Sequence, residues 1–226
     1  GRPVELEYLD VFCDGTAVKK AGELTSHFCR QLIDRYLTVS NDEVCAAMQL
    51  LWDTHRQVPE PAGAMGLAGW LLEKETISGK RALAILCGSN MDFGQLSYIV
   101  RRAGIGSASR RYYRFSIPER KGALLDLLET FLDSVNIIEF QHGMSNLEEA
   151  WPILGIDAMP ETFSALEDQL RKLGIRFEDA TGDEDVEFRI IRYNSELIRY
   201  PCFIKIEFPE RAGALREFLI SHCQRA

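Results

Sequence analysis

The sequence predicts an α/β segment followed by α+β segments of the ferredoxin-like kind, the last of them incomplete, and three observations predict it. Over the first hundred residues, strand-like and helix-like patterns alternate. Beyond the small-residue stretch 104–109 the order becomes βαββαβ, a split βαβ unit of about 70 residues. The eight residues Ile117-Pro118-Glu119-Arg120-Lys121-Gly122-Ala123-Leu124 then return, 91 positions later, as Phe208-Pro209-Glu210-Arg211-Ala212-Gly213-Ala214-Leu215.

In chain order, Tyr36–Val39 is a short β-prone run. Ser40-Asn41-Asp42-Glu43 follows, with Asn or Asp as the expected N-cap and acidic residues in the first turn, opening a helix to about Arg56. Its apolar residues Val44, Met48, Leu51 and Trp52 recur at helical spacing. Pro59-Glu60-Pro61 interrupts it, because proline restricts the residue before it. The small residues from Ala62 to Gly69 suit a helix that packs very closely on a neighbour. Arg81–Leu86 reads as a buried strand ending in Cys87-Gly88-Ser89-Asn90. A strand running into small and polar residues has the geometry of an α/β ligand crevice, at the carboxyl end of a parallel strand.

Gly104–Ser109 reads as a linker. After it, Tyr112–Ile117 is a strand by composition, Pro118–Gly122 a turn, and Ala123–Leu132 an amphipathic helix. Val135–Phe140 and Trp151–Ile156 are strands. Pro160–Leu173 is a helix with proline in its first turn and Gly174 at its end, the asymmetry helix termini favour. Ile175–Phe177 closes the unit. In the repeat, strand residues precede both copies (Tyr113–Ser116 and Phe203–Glu207) and a helix follows each, so two copies of one unit are expected. The expected divisions are 1–106, 107–183 and 184–226, the last a partial second copy.

Size and charge narrow the function classes. With 226 residues, 46% of them hydrophobic, the chain can bury one large core or two modest ones. Its net charge of −8 argues against non-specific binding to nucleic acid or anionic lipid. No apolar run approaches the roughly 20 residues of a membrane helix. The six cysteines are scattered without a C-x-x-C pair, and the four histidines have no metal-ligand spacing, so no metal site is expected. With no signal peptide, a reducing cytoplasm is expected. The chain begins with Gly rather than Met, which is expected of an expression remnant, a processed product or a piece of a longer protein.

Three motifs in order, Asp14-Gly15-Thr16-Ala17-Val18-Lys19-Lys20, Glu60-Pro61-Ala62-Gly63-Ala64 and Leu86-Cys87-Gly88-Ser89-Asn90, resemble the C-terminal half of a fold-type II pyridoxal-phosphate enzyme, specifically a threonine dehydratase (threonine ammonia-lyase). The Ile-Pro-Glu turn, the Glu139-Phe140 pair and the second Phe-Pro-Glu-Arg are similar to the tandem ACT-like regulatory units of the biosynthetic form. The resemblance spans nearly the whole chain. It implies pyridoxal phosphate as the cofactor of the complete enzyme and conversion of L-threonine to 2-oxobutanoate and ammonia in isoleucine biosynthesis. The family's Schiff-base lysine, its Ser-x-x-Asn-His loop and its glycine-rich phosphate loop do not occur in this sequence, and adjacent Lys19 and Lys20 suit a solvated face. The chain alone is therefore expected to be inactive.

The resemblance also implies roles for single residues. At Cys87 the family places a Ser or Cys facing the pyridine nitrogen of the cofactor; a packed core cysteine is the other reading. Glu60 lies near the substrate end of the family's pocket, or else caps the following helix. Asp14 and Gly15 either approach the cofactor ring or form an ordinary turn. Asn90 is an amide ligand or a helix cap. In the regulatory unit the effector positions are Glu119, Glu139, Phe140 and His142, with Gln141 beside them. Family members usually carry a tyrosine and an arginine where this chain has His142 and Gly143. The chain thereby loses an aromatic face and a guanidinium fork suited to holding an amino acid, and His142 also reads as a plain surface or packed histidine. Threonine, isoleucine and valine are the implied small-molecule partners, with a homodimer or homotetramer, no nucleic acid and no membrane. The setting is cytoplasmic, or an organelle stroma in a plant. Two other expectations stand beside this one: a free-standing amino-acid sensor and a degenerate paralogue.

Overall fold

The computed structural model describes residues 2–131, 135–206 and 211–223. They fall into two compact units, residues 1–107 and 108–226, each with its own buried cluster.

The first unit is helical: α1 (Glu23–Leu32), α2 (Asn41–His55), α3 (Pro61–Leu72) and α4 (Leu96–Gly106). Val44, Cys45, Ala47, Met48 and Leu51 of α2 form its core with Ala64, Leu67 and Ala68 of α3 and Ile99 and Ala103 of α4. The cap of α2 is Ser40, not Asn41 or Asp42. Its Oγ accepts from the Glu43 N–H at 3.3 Å while Glu43 Oε2 accepts from the Ser40 N–H at 2.7 Å, a reciprocal capping box. Asp42 is instead engaged by the Arg102 guanidinium of α4. Gly104 and Gly106, read from sequence as linker, are the last turns of α4. Gly106 is small because α4 lies on α2: a Cβ there would come within 2.0 Å of the Asp42 carbonyl oxygen.

The two runs read as strands here differ from expectation. Residues 36–39 and 81–86 form no strand, and among the described residues neither run pairs with another strand. The second is not buried either, with Leu83 92% and Ile85 76% exposed. A strand is a pairing, and the pattern of apolar residues records which side chains favour burial without supplying the partner. The small-residue helix does pack closely. On α3, a Cβ at Gly66 would stand 3.3 Å from the Ile85 carbonyl oxygen, and one at Gly63 only 1.5 Å from that of Cys87.

The second unit holds the βαββαβ order: β1 (Arg110–Pro118), α5 (Ala123–Phe131), β2 (Asn136–Gln141), β3 (Glu149–Ala150), β4 (Ile153–Asp157), α6 (Pro160–Lys172) and β5 (Arg176–Asp179). All pairings are antiparallel, with β1 between β4 and β5, and β2 outside β4. The expected strand Trp151–Ile156 is β4, which starts two residues later at Ile153, and β3 precedes it on the other side of Trp151-Pro152. Both keep one register on β1 (Ile117 opposite Ala150, Arg114 opposite Ile153), and the Phe115 N–H still reaches the Pro152 carbonyl at 2.9 Å. Proline has no N–H to continue the ladder. One face of the sheet packs Tyr113, Phe115, Ile117, Leu154 and Ile156 against Leu127 and Leu128 of α5 and Phe163, Leu166 and Leu170 of α6. Gly174, at φ 69°, ends α6 as expected.

Beyond β5 come α7 (Glu184–Glu187) and α8 (Ala214–Cys223). Of the repeat, residues 203–206 do not form the expected strand, and 207–210 lie outside the described residues. The turn and helix of the second copy do reproduce the first. Gly122 and Gly213 have φ of 86° and 79°. Their carbonyls accept from Asp126 and Glu217 N–H at 2.9 and 3.0 Å. Arg120 pairs with Asp126 at 2.6 Å and Arg211 with Glu217 at 2.5 Å. Helix α8 lies against α5 and sends Leu215 into the core of the first copy.

Candidate functional site

The first candidate site is built around the N-terminus of α3. The short helical turn Asp14–Thr16 lies against that helix, tied by the Thr16 hydroxyl, which donates to the Cys13 carbonyl at 3.0 Å and faces Met65 Sδ at 3.5 Å. A Cβ on Gly15 would sit 3.2 Å from Glu60 Oε1 and 3.1 Å from Ala62 Cβ, so a bare backbone is what fits at this approach. Glu60 occupies the N-cap position of α3, but its carboxylate makes no cap hydrogen bond. It turns the other way: Oε2 accepts from the Asn90 N–H at 3.3 Å, and the Glu60 N–H donates to the Gly88 carbonyl at 3.2 Å. Gly88, at φ 75°, lies directly against the Glu60 side chain, where a Cβ would come within 2.2 Å of Cδ. Asn90 is not a helix cap; the short turn Phe93–Gln95 is capped by Asp92, whose Oδ1 accepts from Gly94 N–H at 2.9 Å.

The structure thus brings Gly15, Glu60, Cys87, Gly88 and Asn90 to one end of one helix, with Asp14 in the adjoining turn. Cys87 is exposed and free rather than packed in a core. Cys45 is the packed cysteine: burial, reinforced by Asp42, pushes its thiol up to about 12. Burial also raises Cys13. Lys19 and Lys20 are exposed and paired with Glu5 and Glu23. Gly63 and Gly88, present in the quoted motifs but given no role there, also lie at this end of α3; the spacing of Gly63 and Gly66, three apart on one helix face, is the signal that marks the close backbone approach of residues 85–87.

The effector positions in the second unit do not converge. The Glu119 N–H donates to the Glu148 carbonyl at 2.8 Å, while Glu139 lies opposite Gly155, seven positions along the same strand line. At about 3.3 Å per residue that is about 23 Å. Glu119 Oε2 is buried with no hydrogen-bond partner. Glu139 is on the sheet face away from α5 and α6, accepting from the Tyr112 hydroxyl at 3.3 Å and facing Arg189 Nε at 3.1 Å. Burial and the Glu139 charge push Tyr112 up to about 12. Phe140 is on the opposite face, packed against the core and stacked on His142 with ring centroids 6.0 Å apart. A groove of about 590 Å³ between α6 and β5 has its charges already matched, Glu167 taking both Arg111 and Arg171. Among the described residues no cluster of His, Cys, Asp and Glu could hold a metal ion, and no helix is long and apolar enough to cross a membrane.

The chemistry at α3 suits one edge of pyridoxal phosphate: an exposed thiol able to donate to a ring nitrogen, beside backbone stripped of side chains at Gly15, Gly63 and Gly88. Comparison with known proteins points the same way. The pyridoxal-phosphate-dependent enzyme family matches residues 1–88, and the C-terminal regulatory domain of threonine dehydratase matches residues 101–190. The biosynthetic L-threonine dehydratase IlvA of Burkholderia multivorans is 33% identical over 98% of this chain and 45% of its own length. That of Haemophilus influenzae is 34% identical over 97% and 44%. A threonine dehydratase of Nicotiana attenuata is 31% identical over 97% and 37%. Among solved structures, the processed form of threonine deaminase isoform 2 from Solanum lycopersicum is 38% identical over 45% of this chain and 30% of that one, with a TM-score of 0.43. The chain spans less than half the length of the curated relatives it matches. Along nearly its whole length the chain is therefore similar to part of the biosynthetic threonine dehydratases, matching the pyridoxal-phosphate-dependent enzyme family in its first segment and the threonine dehydratase regulatory domain in its second.

Proposed function

We propose that the chain is the C-terminal and regulatory portion of a pyridoxal-phosphate-dependent threonine ammonia-lyase, which converts L-threonine to 2-oxobutanoate and ammonia for isoleucine biosynthesis. Residues 1–106 are the C-terminal part of the catalytic domain in this reading, 107–183 a first ACT-like unit and 184–226 part of a second. The observation that carries it is the gathering of Gly15, Glu60, Gly63 and Gly88 around exposed Cys87 at the start of α3.

When bound, the cofactor supplies an electron sink for the amino acid joined to it. The chain's own residues hold and orient. Cys87 would face the pyridine nitrogen of the bound cofactor, its S–H serving as a hydrogen-bond donor there, a partner that would suit loss of the β-hydroxyl. Gly63 and Gly88 let the 85–88 backbone lie against α3 so that the thiol stands at its end. Glu60, fixed by the Asn90 N–H, walls the substrate end of the site. Glu139 on one sheet face, Phe140 with His142 on the other, and Glu119 farther along the sheet are, in this reading, the effector positions for isoleucine or valine. The assembly is a homodimer or homotetramer, working in the cytoplasm or, in a plant, an organelle stroma.

The test joins this chain to the remaining length of its relatives. The joined protein releases ammonia from L-threonine, residues 1–226 by themselves do not, and Cys87→Asp lowers kcat at least tenfold with an altered cofactor absorbance band, while Cys87→Ser keeps both. Equal activity and an unchanged band in Cys87→Asp would remove Cys87 from the site.

A further inference from the structure

The sheet face away from α5 and α6 is covered by the chain that follows β5. Asp185 is almost fully buried and takes two guanidinium groups: Arg192 Nε at 2.8 Å and Arg114 Nη2 of β1 at 3.1 Å. Arg114 also binds Asp183 at 2.8 Å and Glu178 at 2.5 Å. The stretch then runs over the end of β2. The Gln141 amide, turned so that its nitrogen faces them, donates to the carbonyls of Asp185 and Ile190, each at 3.3 Å. The Asn194 N–H donates to the Met144 carbonyl at 2.8 Å. Arg189, which bends the stretch with φ of 54°, pairs with Glu139 at 3.1 Å.

Gly143 permits the closest point. A Cβ there would stand 2.1 Å from the Arg192 carbonyl oxygen and 2.9 Å from Ile191 Cγ2, so no side chain fits while the stretch is down.

We propose that residues 185–194 form an occluding strap, latched by Asp185 between Arg114 and Arg192 and admitted by Gly143, that closes Glu139 and Gln141 to ligand until it lifts. The proposal rests on the effector reading of Glu139. In it the strap holds the carboxylate and amide that an amino-acid ammonium and carboxylate would otherwise engage, and effector binding is linked to lifting of the strap.

The experiment combines hydrogen exchange and isothermal titration of isoleucine on the full chain, for the parent and for Asp185→Asn and Gly143→Ala. The first variant breaks the latch by charge and the second by bulk, so a folding defect in one leaves the other. Expected are at least tenfold faster exchange across 185–198, at least fivefold tighter isoleucine binding, and loss of that gain when Glu139→Gln is added. Faster exchange with unchanged isoleucine affinity would overturn the strap and leave the effector reading standing. Faster exchange with no isoleucine heat in any form would overturn the strap and the effector role of Glu139 together.

Discussion

Gly63 shows how much a single hydrogen atom in place of a side chain decides. With the Cys87 carbonyl oxygen 1.5 Å from where its Cβ would stand, Gly63→Ala moves backbone, not a flexible side-chain end. Overpacking of this kind costs about 1–3 kcal/mol, and the expected result in urea unfolding is a lower midpoint together with displacement of Cys87. The cysteines give a second residue-scale prediction. At pH 8 a thiol pushed up to about 12, as Cys45 is, holds almost no thiolate and is also shut off from reagent. Brief alkylation followed by mass spectrometry should therefore label exposed Cys87 and Cys202 and leave Cys45 unmodified. At this scale the sequence was partly legible. Asp14, Gly15, Glu60, Cys87 and Asn90 were named from motif order, and the structure gathers them at α3. Which alternative each residue takes was not legible, because whether Glu60 points along its helix or across to Asn90 depends on a residue 30 positions away.

Elements divide by how locally they are determined. Helix α2 carries its own start signal, and Ser40→Ala removes half of a reciprocal pair, an expected loss of about 0.5–2 kcal/mol read as a lowered thermal midpoint. The helices and strands of the second unit were legible because alternation and termini agree: Pro160 opens α6 and Gly174 closes it. The end of helix α4 was missed because Gly104 and Gly106 look like a linker, and only the approach of α2 shows why Gly106 is glycine. Helix α7 is held by charge, which makes it sensitive to acid. The Asp185 N–H and then Arg114 hold the Asp183 carboxyl below the usual 3.8, with the Arg192 charge adding to the effect, while Arg114 is shared with Glu178 and Asp185. A carboxylate with a depressed folded value stabilises fully above the unfolded value, and that stability is lost as pH falls through the folded one. The near-UV circular dichroism of the tyrosines is thus expected to stay level from pH 7 to about 5 and to change below about 4. Asp183→Asn should weaken that step. A step of equal size in the variant would assign it to another group.

At the scale of the molecule the repeat has a consequence that local patterns do not contain. Two copies of a turn and helix were visible 91 residues apart, and the paired glycines and Arg–carboxylate contacts show that both copies fold alike. The sequence could not show that α8 lies on α5. Leu215 corresponds by this offset to Leu124, yet Leu124 is only partly buried while Leu215 is 4% exposed among Leu127, Leu128 and Val135. A repeat that were merely an appendage would tolerate its loss. Leu215→Ala instead empties a place in the core of the first copy, at an expected cost of about 2–5 kcal/mol. The measurement is denaturant unfolding beside Leu67→Ala, which empties a place in the other unit's core. If the second copy's helix is part of the first copy's core, each variant lowers a transition, and Leu215→Ala lowers the one that near-UV signals of buried Tyr112 and Tyr113 report. A Leu215→Ala protein as stable as the parent would mean that the first copy is held by α5 and α6 alone.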